Sequence, residues 1–80
     1  MTEDKAKTSS FGERAVGLTF NPAGSHEVEN CKREFAAVID RMNYLREQTT
    51  DAEVKRMASI AITESQTAQM WAVKAITWRT

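Results

Sequence analysis

Little in this chain can act as a covalent or metal staple. Cys31 is the only cysteine and His26 the only histidine, which excludes an intrachain disulfide and makes a four-ligand zinc site implausible. Net charge is lacking as well. Eleven basic and eleven acidic residues cancel, so no field draws polymeric DNA or RNA by counterion release, although a few placed donors could hold a small phosphate-bearing ligand. No apolar run approaches the ~18 residues of a membrane span, and the polar start MTEDKAKTSS has no secretory pattern. A free thiol without an export signal suits a reducing cytoplasm. The three glycines, Gly12, Gly17 and Gly24, lack a following Gly-Lys-Ser/Thr, so there is no P-loop. At 80 residues a single core supports only a few kcal/mol of net stability, and such chains add a disulfide, a metal or self-association. Self-association is what remains.

The last sixteen residues, SQTAQMWAVKAITWRT from Ser65, contain no Asp or Glu but carry Lys74, Arg79, Trp71 and Trp78. A helix end with apolar residues on several sides, cations and no acids calls for a partner, either another protomer or an anion.

The chain reads as one all-α domain. Residues 1–10 are charged and small and are expected to fray, or to order only on assembly. Phe11 to Phe20, FGERAVGLTF, fits a short helical turn followed by an extended piece. Asn21 to Ser25, NPAGS, is a loop: Pro22 disfavours helix at Asn21, Gly24 permits a tight turn, and Ser25 can cap the next helix. From about 26 to 48, Val28, Cys31, Phe35, Val38, Met42 and Leu45 recur at 3, 4, 3, 4, 3, a seam on one face of a helix. Thr50 with Glu53 reads as a capping box for a second helix over about 51–77. So short a break makes the two helices antiparallel neighbours. On the second, Val54, Met57 or Ala58, Ala61, Ser65, Ala68, Ala72 and Ala75 form a seam of mostly small residues. Ile60, Ile62, Met70, Trp71, Val73, Ile76 and Trp78 spread over other faces. That is too much apolar surface for one partner helix, so the excess must pack on the Phe11–Phe20 segment, another chain, or both. Burying two tryptophans removes about 150–250 Å² each from water, and their exposure is not expected.

Catalysis finds little support. His26 and Cys31 are five apart, about 500° around a helix, and point to different faces; Cys31 reads as a small core residue. Glu47, Asp51 and Glu53 are explained by capping and solvation. Binding finds more. Phe11-Gly12-Glu13-Arg14 joins a ring that can stack a nucleobase, a bare backbone and a guanidinium that can hold phosphate. The competing reading makes Phe11 a core anchor and pairs Arg14 with an acid. The Asn21–Ser25 loop ends at a helix N-terminus, a generic anion site.

FGERAVGLTFNPAG, FAAVIDRMNYLRE and AITESQTAQMWAVKAITW together resemble the small phage anti-CBASS proteins that act as cyclic-oligonucleotide sponges, whose helical hairpin also appears in Thoeris anti-defence proteins. The resemblance runs from Phe11 to Trp78. It implies an antiparallel two-helix hairpin with a short N-terminal helical arm, assembled as a homo-hexamer in the host bacterial cytoplasm. It also implies no enzymatic activity and no cofactor. The implied ligands are cGAMP-like cyclic dinucleotides held between protomers, some members of the family also holding cyclic trinucleotides at separate sites, and no polymeric nucleic acid or membrane is implied as partner. In relatives an aromatic before the Gly-x-Arg run stacks on a base and a basic residue after the loop approaches the phosphate. Phe11 and His26 hold those places, where some members have tyrosine and lysine. The resemblance thus assigns ligand contact to Phe11, Gly12, Arg14 and His26, with Asn21, Gly24, Ser25 and Lys74 as further candidates. Trp71 and Trp78 are assigned to packing.

Overall fold

The computed structural model describes residues 8–79; the expectation of a frayed start lies, for residues 1–7, outside the described residues. Three helices follow one another: α1 (Phe11–Ala15), α2 (His26–Gln48) and α3 (Ala52–Ile76). Among the described residues there is no strand, and no helix is long and apolar enough to cross a membrane. Arg46 near the end of α2 bonds Ser59 near the start of α3, while Val28 at the start of α2 shares a cleft with Val73 and Thr77 at the end of α3. The two long helices are therefore antiparallel.

Ser25 caps α2 by accepting the Val28 N–H. α3 is capped differently from expectation. Asp51, not Thr50, is the N-cap, its carboxylate accepting the N–H groups of Glu53 and Val54 at 2.8 and 3.4 Å. A carboxylate one residue nearer the helix reaches both orphan donors and complements the positive end of the dipole.

The buried stripe of α2 is Val28, Lys32, Ala36 and Ile39, rotated one position from the expected seam. Cys31, Phe35 and Met42 are half-buried; Val38 and Leu45 are exposed. The reason is that α2 has two neighbours. Both α1 and α3 pack against it, so the stripe that serves both is the one buried. α3 departs similarly. Ala58, Ile62 and Gln69 are buried, whereas Ala68 and Ala75 of the expected small-residue seam are exposed. Val16, from the segment after α1, forms the core with Ala36, Ile39 and Ile62, and Gln66 donates to the Ala15 carbonyl at 3.3 Å. Covering that face of α3 turns Ile62 inward.

Of the side chains described, Ile39 alone is fully buried. The principal extents are 46 × 40 × 12 Å, and the thinnest is about the width of one helix. The chain is a single layer with both faces open.

Candidate functional site

The N-terminal arm places Phe11 and Gly12. Ser10 and Glu13 form a capping box at α1, each side chain receiving the other's backbone N–H at 3.0 Å. The Gly12 N–H donates to the Asp40 carboxylate at 2.6 Å. A Cβ at Gly12 would lie 2.2 Å from the Ala36 carbonyl oxygen, so only glycine lets α1 seat this closely on α2. Phe11, half-buried against the core, lies under the Arg46 guanidinium, 5.2 Å from the ring centroid. That is cation–π distance. Arg14 faces solvent and donates to the Ser9 carbonyl at 2.6 Å; among the described residues it pairs with no acid.

A second group lies where the arm turns back into α2. Gly17 takes a left-handed backbone (φ 64°) and its carbonyl accepts the Phe20 N–H. Lys32, only 5 % exposed, donates its ammonium to the Gly17 and Phe20 carbonyls, tying the turn to α2. Asn21 and Ser25 brace the loop reciprocally: Asn21 Nδ2 donates to the Ser25 carbonyl at 2.8 Å and the Ser25 N–H donates to Asn21 Oδ1 at 3.2 Å. Gly24 (φ 66°) faces open space. His26 is exposed on the first turn of α2. The Asn21 amide and the Ser25 hydroxyl are thus committed to shaping the loop that presents His26.

The third group sits at the acid-free end of α3. Lys74 lies 5.2 Å from the Trp71 ring and 5.8 Å from the Trp78 ring, beside a shallow cleft of about 340 Å³. The expected burial of the tryptophans is not met within one chain: Trp71 is 65 % and Trp78 61 % exposed. The arm covers the α3 face that carries Ile62 and Gln66, and in a single layer nothing is left to cover the outer face. Between arm and α3 runs an open cleft of about 590 Å³, whose lining includes Arg14, Phe20, Lys32, Gln69 and Met70 and, among the described residues, no carboxylate.

The predicted residues are therefore distributed. Phe11 and Gly12 sit together, as do Asn21, Gly24, Ser25 and His26; Arg14 borders the central cleft and Lys74 stands apart. Gly12 is bonded fourteen positions along α2 from His26, about 21 Å at the helical rise. One protomer cannot bring Phe11 and His26 onto the same small ligand.

Sequence reasoning missed Lys32, Asp40, Arg46 and Gln69. Lys32 carried a readable signal, since it falls four residues after Val28 and four before Ala36 on what proves to be the buried stripe. Asp40 and Arg46 had none, because their partners lie across tertiary contacts. Cys31 is disfavoured as a thiolate: partial burial and the nearby Glu34 and Glu27 carboxylates push its thiol pKa up, against a smaller lowering by Lys32. Among the described residues no three His, Cys, Asp or Glu side chains cluster as a metal site.

Searches of curated proteins and of solved structures gave no match. A family model does match, described as Acb2/Tad1, hairpin domain, over residues 13–77. That span covers most of the chain and holds the α2–α3 hairpin together with most of the arm. The chain belongs to the Acb2/Tad1 hairpin-domain family.

Proposed function

We propose that this protein is a phage anti-defence sponge that binds cGAMP-like cyclic dinucleotides made by bacterial CBASS cyclases and withholds them from their effector without cleaving them. Cyclic trinucleotides are a second ligand class on this reading, and the host bacterial cytoplasm is the compartment. The family match over residues 13–77 carries the reading. Geometry supports the mode of binding. Phe11 and His26 are too far apart to share a ligand within one chain, while two antiparallel rods with open faces leave apolar surface that copies of the chain can cover. A homo-oligomer, for which we propose a hexamer, brings the Phe11 end of one protomer to the His26 end of another. The base then stacks at Phe11 and the phosphate lies near His26, with Gly12 seating the arm and Arg14, Asn21, Gly24, Ser25 and Lys74 as further candidate contacts.

A thermal-shift series across cyclic di- and trinucleotides tests the reading, because a ligand that binds only the folded state raises its stability. Chromatography of the denatured complex should return intact cyclic nucleotide; linear product would indicate a phosphodiesterase instead. The exposed tryptophans favour one rival, a structural or protein-interaction homo-oligomer, and an assembled protein indifferent to every cyclic nucleotide would establish it. Phe11→Ala should remove stacking of about 1–3 kcal/mol, roughly 5- to 150-fold in affinity. Unchanged binding in calorimetry by a correctly assembled variant would refute the placement of the base at Phe11.

A further inference from the structure

Arg46 differs from Arg33 and Arg56 in having, among the described residues, no acid beside it and from Arg14 in being half-buried. Arg33 is paired with Glu29 and Glu13, and Arg56 with Glu53. Arg46 is half-buried and, among the described residues, has no carboxylate within ion-pair distance. Its guanidinium is nevertheless fixed: Nε donates to Asn43 Oδ1 and Nη1 to Ser59 Oγ, both at 3.0 Å. Those bonds engage two of the five N–H donors a guanidinium carries, and the neutral acceptors leave its charge uncompensated. The plane stands over the Phe11 ring at 5.2 Å. Asp40, the acid that receives the arm, is committed to the Gly12 N–H.

We infer that Arg46 is a ligand-binding residue of the Phe11 site, its spare donors holding a phosphate oxygen of the nucleotide that stacks there. The inference rests on the proposed cyclic-dinucleotide function and extends it. Fixing a guanidinium in advance with Asn43 and Ser59 lowers the ordering cost of gripping phosphate. A positive charge without a carboxylate at an aromatic ring suits an anion joined to a flat base. It also provides phosphate recognition at the Phe11 end of the chain, twenty positions and about 30 Å from His26 along α2, so a cyclic dinucleotide bridging two protomers meets a cation at each end.

The test is calorimetry with cyclic GMP–AMP on wild type, Arg46→Gln and Arg46→Lys at low and high salt, with melting temperature and sedimentation recorded for each. Arg46→Gln should assemble normally and bind about 10- to 100-fold more weakly, the range of one charge-assisted hydrogen-bond pair. Its affinity should fall less steeply with salt than that of wild type, because one charge contact is gone. Arg46→Lys should regain part of the affinity and restore the salt dependence; this arm decides the matter if glutamine disturbs folding. Arg46→Gln binding like wild type, or weaker binding with an unchanged salt dependence, overturns the assignment while leaving the proposed function standing. Wild type failing to bind cyclic GMP–AMP overturns both.

Discussion

At the scale of single residues, close approach and buried charge decide what the arm tolerates. Gly12 has no room for a methyl group, since the Ala36 carbonyl carbon and oxygen and an Asp40 oxygen all lie within 3.0 Å of where it would stand. Gly12→Ala should therefore lower stability by about 1–3 kcal/mol, the usual cost of overpacking. Urea unfolding measures it, and a loss under 0.5 kcal/mol would show that α1 shifts freely on α2. Lys32 is the counterpart in charge. Its ammonium is the donor to the Phe20 carbonyl and a second donor to the Gly17 carbonyl beside the Phe20 N–H, so Lys32→Met, which keeps the aliphatic stem, should still cost about 1–3 kcal/mol by leaving the Phe20 carbonyl unpaired. Cys31 makes a different prediction. Because its thiol is held above the ordinary cysteine range, mainly by burial, less thiolate is present at pH 8 than in the unfolded chain. Alkylation by iodoacetamide should accelerate when the protein is unfolded; equal rates in the two states would contradict the shift.

At the scale of elements, the helix ends are local and their effects separable. Asp51→Ala removes the side chain that caps the N-terminus of α3 and should cost about 1 kcal/mol. The neighbouring Glu53 is held below the usual carboxylate range by its hydrogen bond to Arg56. The pair's contribution is present above the unfolded pKa of glutamate and is lost as pH falls through the lower folded value. The difference in melting temperature between wild type and Glu53→Gln should be small at neutral pH, as an exposed pair dictates, and should shrink on acidification. A difference that grew on acidification would contradict the sign. These elements were largely legible in advance. The NPAGS loop, the Ser25 cap and the break near Thr49 follow from local chemistry, and the structure places α2 and α3 close to the expected bounds. What was not legible is which stripe each helix buries. A 3, 4, 3, 4 spacing assumes one partner, and the arm is a second one, drawing Lys32, Ala36 and Ile62 inward and leaving Val38, Leu45 and Ala68 outside. The site was legible as residue types at intervals. The commitment of Asn21 and Ser25 to each other, and the placement of Arg46 over Phe11, depend on contacts across 4 to 35 positions that no pattern announces.

At the scale of the whole molecule, the thin single layer dominates. Phe20, Met70, Trp71 and Trp78 are each more than 60 % exposed, an apolar surface that a solitary soluble chain rarely shows. Trp71→Ala with Trp78→Ala should shift sedimentation toward smaller species at micromolar concentration, each ring having offered about 150–250 Å² for burial. An unchanged assembly would place the contact on another face. The fourteen-position span along α2 between the Asp40 anchor of the arm and His26 carries a genetic consequence. If each pocket draws its aromatic from one subunit and its imidazole from the next, chains lacking Phe11 and chains lacking His26 are defective in different halves of the same pocket. Unfolded together and refolded as mixed particles, the two inactive populations should regain a fraction of the pockets intact, and nucleotide capture with them. Neither population refolded alone could do so.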